Sequence, residues 1–87
     1  MDKKILIIDD EQRNIFALQA VLKARKYTCV TAGSAHEGIA VLRSDPGIGI
    51  VLMDMMMPDM DGYEGIRIIK ADEKTSSIPV IAVTPRQ

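Results

Sequence analysis

Cysteine and histidine occur once each in this chain, and it has no run of basic residues long enough to form a patch, no internal repeat and no low-complexity segment. Each scarcity removes a class of function. The single cysteine, Cys29, has no partner for an internal disulfide; its apolar surroundings mark it as a small core residue, consistent with a reducing compartment. The single histidine, His36, falls in the first turn of a helix with no second imidazole to share a metal, and reads as a surface residue. A formal net charge of −1 supplies neither a footprint for nucleic acid nor a polybasic patch for a membrane. The small cationic run Lys23, Arg25, Lys26 lies at a helix end, where positive charge is favourable anyway. No apolar run approaches the length of a membrane span, and the run at Ile5 to Ile8 is too short for a signal peptide, so a cytoplasmic location is expected.

What is present is a single domain over 1–87, 47% hydrophobic and 26% charged, small enough that its core is marginal. Two apolar runs end in acids: KILIID closes on Asp9 and Asp10, and IVLMD closes on Asp54. Between them, Ile15, Leu18 and Leu22 recur at helical spacing over Glu11 to Arg25, with Asp10 placed to cap that helix. Tyr27 to Ala32 reads as a strand. Ser34 and Glu37 form a capping box for a helix that buries Ala35, Ile39 and Leu42 and stops at Asp45-Pro46-Gly47. After the Ile50–Asp54 strand, Asp61 and Glu64 open a third helix running to about Glu73 with Ile66 and Ile69 inward, and Ile78 to Thr84 is a fourth strand. The order β-α-β-α-β-α-β predicts a doubly wound parallel sheet with right-handed crossovers.

In such a sheet the carboxyl ends of the strands share one edge, which brings Asp9, Asp10, Asp54 and Thr84 together. Three carboxylates in one pocket repel unless a cation lies among them, and hard oxygen donors of this kind suit Mg²⁺. A metal-bridged aspartate that accepts a phosphoryl group, with a hydroxyl nearby to bond it, is sound chemistry. Taken alone, Asp54 could equally satisfy backbone donors in the turn after its strand. The methionines Met53, Met55, Met56, Met57 and Met60 could suggest a soft-metal site, but the acids between them make core filling the better account.

The segments IIDD (Ile7–Asp10), VLMDMMMPDMDG (Val51–Gly62) and IPVIAVT (Ile78–Thr84) together resemble the receiver domain of two-component response regulators. The resemblance implies a flavodoxin-like α/β fold with strand order 2-1-3-4. It implies that Asp54 is the phosphoacceptor, served by a sensor histidine kinase or phosphotransfer protein, and that the domain is not an enzyme beyond weak autophosphatase activity. It implies Mg²⁺ held by Asp9, Asp10, Asp54 and the backbone carbonyl of Met56, with Thr84 as the switch hydroxyl and Pro58 and Gly62 as the loop signature.

Two departures from the family pattern stand out. The chain reaches Gln87 without the family's fifth strand, last helices and strand-end lysine; Lys70 and Lys74 belong to the third helix or just after it, toward the other edge. Pro85 follows Thr84 where a small residue with a backbone N–H is usual, and proline has none to offer. Both weaken phosphorylation and favour a receiver-like interaction module, paired as a homodimer through the apolar fourth strand or an uncovered sheet face. An aspartate-nucleophile phosphohydrolase ranks last, because the second acid such enzymes want would fall at Met56.

Overall fold

A computed structural model describes residues 3–83. Its elements are β1 (Lys4–Ile8), α1 (Gln12–Ala24), β2 (Cys29–Ala32), α2 (Ala35–Ser44), β3 (Ile48–Asp54), α3 (Gly62–Ala71) and β4 (Val80–Val83). All strands pair in parallel in the order β2-β1-β3-β4, as the alternation and the family pattern predict. The chain steps from β1 outward to β2, then turns back across β1 to β3 and on to β4. Crossovers of one hand therefore place α1 on one face of the sheet and α2 with α3 on the other.

Side-chain alternation along the central strands serves both faces. Leu6, Ile8, Val51 and Met53 point into the larger core with Ile39 and Leu42 of α2 and Ile69 of α3. Ile5 and Ile7 pack against Ile15, with Leu18, Leu22, Cys29, Ile50 and Leu52 around them on the α1 side. β1 and β3 are buried on both faces, which accounts for their nearly unbroken apolar runs. α2 approaches β1 closely: a Cβ on Gly38 would lie 2.6 Å from Cγ1 of Ile8. Phe16 and Val21 remain exposed on the outer side of α1.

Local differences from the sequence reading have local causes. β3 begins two residues earlier, at Ile48, because the pairing of Lys4 with Ile48 extends the sheet through Gly49. β2 is shorter at its start, with Tyr27 and Thr28 still in the turn from α1. That turn puts Lys26 at φ 70°, while its N–H donates to the Lys23 carbonyl and that of Tyr27 to the Leu22 carbonyl. This is a left-handed helix terminus occupied by a residue other than glycine. α3 ends at Ala71, two residues short of the expected Glu73, where Thr75 turns back to donate its hydroxyl to the Ile69 carbonyl at 2.6 Å.

Asp10 does not cap α1. The helix starts at Gln12, Glu11 occupies the cap position, and its N–H donates to Oδ1 of Asp9 at 2.9 Å. At α2 the forward half of the expected box forms, Ser34 Oγ accepting the Glu37 N–H at 3.1 Å, while Glu37 Oε1 accepts the N–H of Gly33, one residue before the cap, at 3.0 Å. At α3 the Asp61 carboxylate accepts the N–H of Tyr63, and among the described residues Glu64 makes no return bond. Of the methionines, Met53, Met57 and Met60 are core residues, whereas Met56 is 70% exposed and departs from the core-filling expectation.

Candidate functional site

The carboxyl edge of the sheet gathers the acids. Asp9 follows β1 directly, is 3% exposed, and its N–H donates to the Ala32 carbonyl at 3.1 Å, so β2 fixes its backbone. Asp10, one residue on, is exposed. Asp54 is the last residue of β3, 7% exposed and paired with Val83 of β4. One carboxylate oxygen from each of the three lies within 4.8 Å of the others. They line an open pocket of about 810 Å³ whose walls include Arg13, Met56 and Val83. The pocket lies where the path of the chain reverses between β1 and β3, the usual ligand crevice of open α/β sheets.

Burial pushes the Asp54 carboxyl above the ordinary carboxylate range; the N–H of Met56, donated to its Oδ1 at 3.0 Å, pulls it back, and the charge of Asp9 pushes it up again. Three carboxylate donors, two of them buried and one facing solvent, suit a hard divalent cation that keeps part of its water. On donor chemistry, the cluster fits Mg²⁺.

Met56 is at the pocket because the chain turns sharply after β3. It forms an isolated bridge with Asp61, and the N–H of Gly62 donates to the Met55 carbonyl at 3.3 Å. Gly62 permits this: a Cβ there would lie 2.6 Å from Cα of Met55. Lys70 is at the opposite edge, as expected, with Nζ donating to the carbonyls of Ser76 at 3.2 Å and Ile78 at 2.8 Å. Thr84 and Pro85 lie outside the described residues.

One participant escaped the sequence reading. Asp59 bonds the first turn of α2, through the N–H groups of Ala35 and His36 and the His36 ring. In the sequence it looks like an ordinary turn acid beside Pro58, and no local signal connects it to residues 23 and 24 positions earlier. Burial pulls its carboxyl upward, but these hydrogen bonds outweigh that and hold it below the ordinary range.

Comparison with known proteins agrees with this geometry. Residues 5–87 match the family model described as the response regulator receiver domain. The protein PilH of Pseudomonas aeruginosa is 35% identical over 83 residues, covering 95% of this chain and 68% of PilH. The response regulator PleD of Caulobacter vibrioides is 38% identical over 84 residues, which is 97% of this chain but 18% of PleD. Among solved structures, a response regulator receiver protein from Pseudomonas putida superimposes with a TM-score of 0.92 at 30% identity, over 100% of this chain and 71% of that one.

Proposed function

The chain belongs to the response regulator receiver family, and from that premise we propose that it accepts a phosphoryl group on Asp54 in two-component signalling. The donor is a phosphohistidine on a sensor kinase or phosphotransfer protein. An Asp54 oxygen attacks phosphorus, the P–N bond breaks, its electron pair returns to the imidazole, and an acyl phosphate remains on the aspartate. The observation that carries the reading is the convergence of three carboxylates from two adjoining strands in one open pocket.

Asp9, Asp10, Asp54 and the Met56 carbonyl are the residues proposed to hold Mg²⁺. When bound, the ion neutralises charge developing on the transferred group. The Glu11 N–H restrains rotation of the Asp9 carboxylate, and the Met56 N–H orients Asp54 through one oxygen. Thr84 follows Val83, which is level with Asp54 in the sheet register, and is the proposed switch hydroxyl. The domain is a phosphoacceptor, with hydrolysis of its own acyl phosphate as the only turnover.

Incubation with acetyl phosphate and Mg²⁺, followed by intact-mass measurement, tests this. One phosphoryl group should be gained by the parent and none by Asp54→Asn; a parent that gains nothing defeats the reading.

A second reading, a self-associating interaction module, draws on β4. Among the described residues this strand pairs only with β3, and both Ile81, 48% exposed, and Ala82 face solvent. An unpaired apolar edge is a template for a second copy. Analytical ultracentrifugation should then show mass rising with concentration, and a monomer throughout the range removes the reading.

A further inference from the structure

The loop of residues 55–61 carries Met56 to the acceptor pocket, and the means by which it is held plays no part in the chemistry above. Its methionines Met57 and Met60 press into the core. One of its two acids, Asp59, crosses to α2. Oδ1 accepts the Ala35 N–H at 3.2 Å, Oδ2 accepts the His36 N–H at 3.0 Å, and Nδ1 of His36 lies 2.6 Å from the same Oδ2.

The first N–H groups of a helix have no partner within it, and a carboxylate is the strongest acceptor for them. α2 therefore takes one cap from its own chain neighbour, Ser34, and a second from the acceptor loop. A separate tie, Nε of Arg43 near the end of α2 to Oδ2 of Asp72 just after α3 at 3.1 Å, lies far from the loop and leaves it untouched.

We propose that Asp59 is a positioning residue for the acceptor site: by clamping the loop to the head of α2 it holds Met56 in register with Asp54. The proposal rests on the reading of Asp54 and its metal ligands given above, and it adds a reciprocal link between that site and the His36 surface of α2.

Asp59→Ala and Asp59→Asn in the full chain both discard the charge, and only asparagine keeps an acceptor oxygen. In Asp59→Ala, amide exchange at Met56 should accelerate, and the calorimetric Kd for Mg²⁺ should weaken by about tenfold, the low end for groups that orient metal ligands. Asp59→Asn should recover much of both. Arg43→Ala, which cuts the far tie, should lower stability and move neither. Equal losses in the two Asp59 variants, a comparable loss in Arg43→Ala, or an unchanged Asp59→Ala each overturn the proposal. If Asp59→Ala does not fold, His36→Ala replaces it: a smaller acceleration at Met56 supports the clamp and none overturns it. A parent that binds no Mg²⁺ defeats the metal reading alone, and Met56 exchange still decides the clamp.

Discussion

The substitution Asp54→Asn keeps the shape of the side chain and an oxygen to accept the Met56 N–H, and removes one charge from a crowded group. Two unit charges at the 4.8 Å limit of this cluster repel by roughly 3 kcal/mol at an effective dielectric constant of about 20. The pocket is open to water and Asp10 is exposed, so a net gain in stability of about 1–3 kcal/mol is expected for the metal-free protein. In a domain of this size that raises Tm by roughly 4–24 °C. The pH dependence carries a sign. The folded protein holds the Asp54 proton to a higher pH than the unfolded chain does, chiefly because the group is buried. The destabilisation is therefore absent below the ordinary carboxylate value of about 4 and grows as pH climbs through the folded value. Scanning calorimetry in EDTA should show the parent and Asp54→Asn far apart at pH 7 and converging in acid. Mg²⁺ should narrow the gap at pH 7 by stabilising the parent, by about 2.7 kcal/mol at a hundred times its Kd. An asparagine variant no more stable than the parent, or a gap indifferent to pH, would refute the account of the cluster.

Lys26→Gly relieves a left-handed backbone at the end of α1 and should raise the urea midpoint, with a gain of about 1 kcal/mol at unchanged m. Met53→Ala empties a wholly buried site between β3 and the α2–α3 layer; a loss of about 2–5 kcal/mol is expected by denaturation, enough to leave so small a domain partly unfolded at 37 °C. Asp45 is held below the ordinary carboxylate range by Lys4 at 2.6 Å and by the Gly47 N–H, so its contribution is present above pH 4 and fades as pH falls through the depressed value. Asp45→Asn should accordingly lower Tm at pH 7 and flatten the acid limb of a Tm profile.

The strands that carry the acids were readable because burial on both faces imposes an unbroken apolar run, and because such a run gives way to polar residues at the edge of the sheet, at Asp9 and Asp54. Helical periodicity named Ile15, Ile39, Leu42 and Ile69 as inward residues, and each is buried. What escaped depends on geometry that the order of residues does not carry. Asp10 looked like a cap because it precedes the helix, but Asp9 turns back first to bond Glu11. Met56 looked like its apolar neighbours, yet the turn after β3 swings it outward while Met57 and Met60 face the core. The Asp59 clamp joins segments more than twenty residues apart, and only the packing of α2 beside α3 brings them together.

The strand order has a consequence for synthesis. β1 is flanked by β2 on one side and by β3 on the other, and its pairing of Lys4 with Ile48 spans just over half the chain. A nascent polypeptide therefore cannot finish its first strand until the segment ending at Asp54 has left the ribosome, and contacts of such long separation form slowly. Before that moment Asp9 has no neighbour from the third strand. The trio of aspartates is thus born with the central pairing itself, and no chain that stops short of Asp54 can form the pocket.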